Sequence, residues 1–254
     1  MKLKTGWDSL RTIYESNADV ICELAFTDLQ TGEPAISHCK AAFECSKSVV
    51  TSNKGPATLV YSEMKKLADQ NDVQFMIEGT VVSGTPVLNF VKGPLAGCKI
   101  SAVKGILNGT TNYILSEMEN GISYENALTK AQELGYAEAD PTGDVNGYDT
   151  RAKVTILTNV VMGMKFMMND IPCHGITEIT SADIEKAKSE NSRWKLIGST
   201  EIVDGKVVAS VKPQMIPMSH PLAGIMDTQN ALTFTTDLMG DITIIGAGAG
   251  RIET

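Results

Sequence analysis

Ala131–Lys153 reads AQELGYAEADPTGDVNGYDTRAK and holds five acidic residues, Glu133, Glu138, Asp140, Asp144 and Asp149. It ends on Arg151 and Lys153. Pro141 and Gly143 break the backbone between two helical patterns, so Glu138, Asp140 and Asp144 fall on a loop or at the mouth of the next helix. Asp144 fits an N-cap, because a carboxylate accepts the unpaired N–H groups of a first turn. From Asp144 the pattern predicts a helix to about Met164. At about 3.6 residues per turn, Val145, Tyr148, Ala152, Ile156, Val160 and Met164 share one arc. Asp149 and Lys153 fall inside that arc, while Arg151, Thr155 and Thr158 fall opposite. A surface ion pair worth about 0.3–0.5 kcal/mol is the plainer account of an i, i+4 Asp–Lys pair. Its apolar company argues the other way, since a desolvated pair is costly and marks a working site.

Working outward, two strand–helix repeats precede this stretch. Asp19–Ala25 reads as a buried strand and Glu33–Ser46 as a helix with Pro34 in its first turn. Ser48–Thr51 is a second strand, followed by Ser52-Asn-Lys-Gly. A helix over about Thr58–Asn71 leads to a third strand, Val73–Ile77. Short links between alternating strands and helices imply a parallel sheet with right-handed crossovers. Ligands bind such sheets at the carboxyl ends of the strands, where Lys54 and Glu78 stand. The G-x-G-x-x-G fingerprint that normally opens a dinucleotide-binding sheet does not occur in the first 50 residues. The block Glu78-Gly-Thr-Val-Val-Ser-Gly-Thr-Pro86 reads as a hinge, or as a tight turn with no ligand.

Beyond it, Lys99–Leu107 is a strand, and Gly109-Thr-Thr opens a helix to about Asn120 that Thr110 or Thr111 could cap. Ser123 starts a helix to Leu134, with Gly135 as its stop. Ser181–Ser189 is a polar helix. Arg193–Val203 and Lys206–Ile216 flank Asp204-Gly205, a hairpin signal. Asn230–Leu238 and Asp241–Ile245 add strands. The fold class is therefore α/β: part of a doubly wound parallel, Rossmann-like sheet, plus an α+β substrate or dimerisation domain with an open mixed sheet. The expected division is residues 1–85, 86–240, and a return segment 241–254.

The remaining composition narrows the partners. A net charge of −8 without a basic tract disfavours nucleic acid and anionic membrane. No apolar run reaches about 18 residues, so no membrane span is expected, and the first residues lack a signal-peptide core. Five cysteines without a C-x-x-C pair fit reduced thiols in the cytoplasm and offer no zinc site. His38, His174 and His220 show no metal-ligand spacing.

The pattern A-x3-G-Y-x-E-x-D-P-x2-D-V-x-G-x-D-x3-K over Ala131–Lys153 resembles the signature of homoserine dehydrogenase. Gly105-Ile-Leu-Asn-Gly-Thr-Thr-Asn-Tyr-Ile-Leu115 resembles a second block of that family, and the likeness runs from about Asp19 to the end of the chain. It implies a chain similar to that enzyme without its first βαβ unit, and reversible NAD- or NADP-dependent conversion of L-aspartate 4-semialdehyde to L-homoserine, a step toward threonine, methionine and isoleucine. By the resemblance, Lys153, Asp149 and Lys54 are catalytic. Glu138 and Asp144 hold the substrate ammonium, and Tyr136, Gly135, Asn108 and Thr110 line its pocket. Thr27, Ser52, Lys54, Gly250 and Thr254 contact the cofactor. Carbonyls at Glu78, Val81, Ser83 and Thr85 hold a sodium or potassium ion, and the protein is a homodimer through its second domain. A nicotinamide reductase must also move one proton, which a positioned lysine can do. Two other readings stand beside this one: a related amino-aldehyde dehydrogenase, and a non-catalytic or ligand-sensing module that kept the fold.

Overall fold

A computed structural model describes residues 6–248. The chain divides between Thr80 and Val81 into two compact units.

The first unit begins with α1 (Ser9–Glu15), whose N-cap Asp8 accepts the Arg11 N–H. Then come β1 (Val20–Glu23), α2 (Ala35–Glu44), β2 (Ser48–Thr51), α3 (Lys54–Leu59), α4 (Tyr61–Gln70) and β3 (Phe75–Met76). The strands form the expected parallel sheet in the order β1-β2-β3. Two details depart from expectation. β1 is not a buried strand: Val20 is 47% exposed and only Glu23 within it is buried, because β1 is the outer strand of the described sheet. The helix expected over Thr58–Asn71 is two helices. At Val60 the backbone swings to φ −139°, and this residue closes α3 and opens α4. The core between helices and sheet includes Phe43, Val49, Met64 and Ala68, with Phe43 edge-on to Phe75 at 5.5 Å.

The one-turn helix α5 (Gly79–Val82) spans the division. The second unit continues with α6 (Val87–Lys92), β4 (Ile100–Ile106), α7 (Gly109–Glu119), α8 (Tyr124–Glu133), α9 (Thr142–Val145), α10 (Tyr148–Val161), α11 (Ser181–Ser189), β5 (Ser192–Val203), β6 (Lys206–Pro217), β7 (Gln229–Thr236) and β8 (Gly240–Ala247). The open sheet has the order β6-β5-β4-β7-β8. Every neighbouring pair of strands is antiparallel, and a single Cys173–Val211 bridge adds a parallel link. Asp204 and Gly205 turn β5 into β6 with φ of 50° and 76°, as a tight hairpin requires.

Helices α7 and α10 lie on this sheet. α10 comes close because Gly198 of β5 has no side chain: a Cβ there would stand 2.6 Å from Val154 Cγ2 and 3.0 Å from Thr150 Cγ2. The helix expected from Asp144 onward is broken. Gly147 adopts φ +81° and precedes α10, while α9 begins after Pro141. Asp144 is therefore inside a one-turn helix and is not an N-cap. Thr155 and Thr158, expected to face outward, are wholly buried. Their hydroxyls donate to the Arg151 and Val154 carbonyls one turn back, which hides their polarity inside the helix. No helix among the described residues is long and apolar enough to cross a membrane.

Candidate active site

Where β4 ends, the chain turns through Leu107 and Asn108 into α7. Asn108 is the N-cap of α7, the role expected of Thr110 or Thr111. Its Oδ1 accepts the Thr111 N–H at 2.9 Å and the Thr111 hydroxyl at 3.0 Å. That leaves its amide nitrogen to donate sideways, to Asp144 Oδ1 at 2.6 Å and Asp149 Oδ2 at 3.0 Å. One buried side chain thus caps a helix and bridges two carboxylates.

Lys153 enters the same cluster from α10. Its ammonium lies 2.7 Å from Asp149 Oδ2 and donates to the Leu107 carbonyl at 2.7 Å. Both side chains are mostly shielded, at 10% and 17% exposure. This pair belongs to a desolvated cluster, where ion pairing and hydrogen bonding must offset the loss of water.

Asp144 carries a raised pKa. Burial raises its pKa above 3.8, and the neighbouring Asp149 charge adds to the rise. Hydrogen bonds from Asn108 and Thr110 and the charge of Lys153 pull the other way. Such a group gains from an added cation. Thr110 also donates to the Tyr136 carbonyl at 2.6 Å, tying α7 to the loop after α8. The Tyr136 ring meets Tyr113 edge-on at 5.1 Å and is 45% exposed. Gly135, with φ +74°, ends α8.

The structure thus gathers Lys153, Asp149, Asp144, Asn108, Thr110 and the Tyr136 backbone. It does not bring the Glu138 carboxylate into that hydrogen-bonded group. Glu138 sits on an exposed loop, where its carbonyl accepts Gln132 Nε2 at 3.1 Å. The Leu107 carbonyl escapes sequence reasoning, since a backbone acceptor leaves no side-chain signature.

In the first unit, Ser52 and Lys54 follow β2 and Thr27 lies exposed after β1. Asn53, between two of the expected residues, was not singled out by sequence and is the organiser. Its amide donates to the Ala25 and Phe26 carbonyls at 3.0 Å each, and its Oδ1 accepts the Gly55 N–H at 2.9 Å. The carboxyl ends of β1 and β2 are thereby tied together. Val81 and Ser83 are buried, and Thr85 donates to the Ala247 carbonyl at 3.0 Å. Among the described residues no group of three or more His, Cys, Asp or Glu could hold a metal, and Gly250 and Thr254 lie outside the described residues.

A parallel strand–helix unit, followed by a unit in which a shielded ammonium is held by one carboxylate and one backbone carbonyl, makes this a two-unit α/β protein with a built polar cluster. The homoserine dehydrogenase family profile matches residues 86–254. The NAD(+)-dependent homoserine dehydrogenase of Pseudomonas canavaninivorans is 50% identical over 243 residues, covering 95% of this chain and 69% of that protein. The crystal structure of an Archaeoglobus fulgidus chain carrying the same family name superposes with a TM-score of 0.91 at 38% identity, covering 99% of this chain and 75% of that one. A hyperthermophilic archaeal homoserine dehydrogenase mutant in complex with NADPH gives 0.83 at 28% identity, over 97% and 71% of the two chains. The chain belongs to the homoserine dehydrogenase family, and it is an oxidoreductase of amino-acid biosynthesis.

Proposed function

We propose that Lys153 is the proton-transfer residue in the reversible, NAD(P)-dependent conversion of L-aspartate 4-semialdehyde to L-homoserine. One observation carries this reading: the Lys153 ammonium is buried and oriented by two fixed acceptors, Asp149 and the Leu107 carbonyl. An ammonium has three N–H groups. Two are used within the protein, and the third is the donor to the substrate's aldehyde oxygen. In the reducing direction it stabilises negative charge growing on that oxygen and delivers the proton that makes the hydroxyl. In the oxidising direction the neutral amine takes that proton back, and Asp149 holds the resulting charge.

Asp144 is the anchor for the substrate's α-ammonium, and Glu138, from its exposed loop, is the second. A substrate cation beside Asp144 offsets the burial that raises its pKa. Asn108, Thr110, Tyr136 and Gly135 shape this end of the pocket. The nicotinamide cofactor, when bound, supplies or accepts the hydride. Thr27, Ser52 and Lys54 hold its phosphates at the strand ends of the first unit, with Gly250 and Thr254 contributing from the end of the chain. Lys54 is also a second catalytic lysine on this reading. Carbonyls of Glu78, Val81, Ser83 and Thr85 hold a monovalent cation. The protein works as a cytoplasmic homodimer through its second unit.

The test is a substrate panel. This chain alone should bind reduced cofactor weakly or not detectably; with a first βαβ unit present it should oxidise L-homoserine with NAD+ or NADP+ and reduce the semialdehyde, with at least about tenfold lower kcat/KM for amino alcohols one carbon longer or lacking the α-ammonium. Equal rates across the panel would point to a different amino-alcohol dehydrogenase. No cofactor binding and no turnover with that unit present would point to a non-catalytic module.

A further inference from the structure

A second lysine in the same unit is buried more completely than Lys153 and has no part in the proposed chemistry. Lys195 of β5 has 0% exposure. An ammonium taken wholly out of water is costly unless its donors are met. Here they are met from two other elements. Nζ donates to Asn112 Oδ1 on α7 at 2.7 Å and to the Ile225 carbonyl at 2.5 Å, with Met226 Sδ at 3.7 Å. Asn112 completes the bracket: its amide donates to the Ile225 and Gln229 carbonyls at 3.3 and 3.2 Å.

Arg193, two residues earlier on the same face of β5, repeats the arrangement at the other end of α7. Its guanidinium pairs with Glu119 Oε2 at 3.0 Å and donates to the Ala223 carbonyl at 2.6 Å. Helix α7 is thus bolted to the sheet at two heights, by Arg193 at its last residue and by Lys195 near its first turn. The lower bolt reaches the active cluster through the first turn of α7, because its acceptor Asn112 belongs to that turn. Asn112 lies one helical turn above Asn108 and donates its own N–H to the Asn108 carbonyl at 3.3 Å.

We infer that Lys195 is a positioning residue for the reaction: through Asn112 it fixes the first turn of α7, and so the place of the Asn108 amide between Asp144 and Asp149. The inference rests on the reading of that cluster as the substrate site. Lys195 touches neither substrate nor cofactor, so its effect is confined to the amino-acid end of the pocket.

The experiment compares Lys195→Met and Asn112→Leu in the intact enzyme, first βαβ unit included, with circular dichroism melts recorded beside the kinetics. Each is expected to lower kcat/KM for L-homoserine by about tenfold or more, while the KM for the nicotinamide cofactor stays within about twofold. Because both remove one link, the double variant should be no worse than the worse single variant. If Lys195→Met fails to fold, Asn112→Ser carries the same test, since it removes the amide that links α7 to Lys195 and leaves the lysine in place. Wild-type homoserine kinetics in these variants, matched losses for substrate and cofactor, or additive losses would overturn the inference. Lys153→Met on the same protein separates the two ideas. Full activity there would remove the cluster from the mechanism and the inference with it. An inactive Lys153→Met beside a fully active Lys195→Met would defeat the positioning role alone.

Discussion

The side-chain amide of Asn108 donates to Asp144 Oδ1 at 2.6 Å while its oxygen caps α7 through the Thr111 N–H. The two duties can be separated by mutation. Serine is also a good N-cap, but its hydroxyl cannot reach as far toward the two aspartates. Asn108→Ser should change stability by no more than about 1 kcal/mol. It should lower kcat/KM for L-homoserine about tenfold or more, because Asp144 and Asp149 lose their shared donor. Urea unfolding and steady-state kinetics on one preparation read both effects.

Asp144 gives a pH prediction with a definite sign. Its folded pKa is raised above 3.8, so the folded chain holds this proton more tightly than the unfolded chain does. Asp144 therefore costs stability above its folded pKa, and the cost disappears as pH falls below 3.8. At pH 7 Asp144→Asn should melt no lower than the wild type, yet bind L-homoserine at least about tenfold more weakly, through loss of the anion. In the wild type the KM for L-homoserine should rise as pH falls through that raised pKa, and Asp144→Asn should lack this rise. A variant that melts lower and keeps its affinity would contradict both halves.

Gly175 holds α9 in place by having no side chain. A Cβ there would lie 2.0 Å from the Val145 carbonyl oxygen and 2.5 Å from Asn146 Cα, both backbone atoms next to Asp144. Gly175→Ala must push this segment away, at a cost of about 1–3 kcal/mol. The expected result is a lower melting temperature together with a raised homoserine KM.

Lys195 should leave a mark on stability at alkaline pH. Burial lowers its pKa from 10.5 to about 8, helped by Arg193, while Glu119 on α7 and Asp227 beyond the Ile225 turn oppose the fall. Between those two values the unfolded chain binds the extra proton, so this residue's cost to stability shrinks as pH rises. The total change is up to about 3 kcal/mol. Unfolding curves from pH 7.5 to 10.5 should show the wild type gaining on Lys195→Met across that window.

Much of this fold could be read locally. Ser48–Thr51 and Ser181–Ser189 form the elements their sequences predict, and Asp204-Gly205 makes its hairpin, because each signal is complete within a few residues. The pairing of Asp149 with Lys153 was also legible, from one helical turn of spacing. The break at Gly147 was not, since Val145 and Tyr148 continue the apolar period across it. Burial of Thr155 and Thr158 was hidden because their hydroxyls bond to their own helix. Lys195 carried no local signal, because its partners Asn112 and Ile225 lie 83 and 30 residues away.

The most direct test of the central claim is single-turnover and steady-state kinetics of Lys153→Ala in the intact enzyme, first βαβ unit included, with cofactor affinity measured separately. The account predicts turnover reduced by about 10²-fold or more, and cofactor binding changed by no more than a few fold. Turnover close to that of the wild type would show that the proton moves by another route.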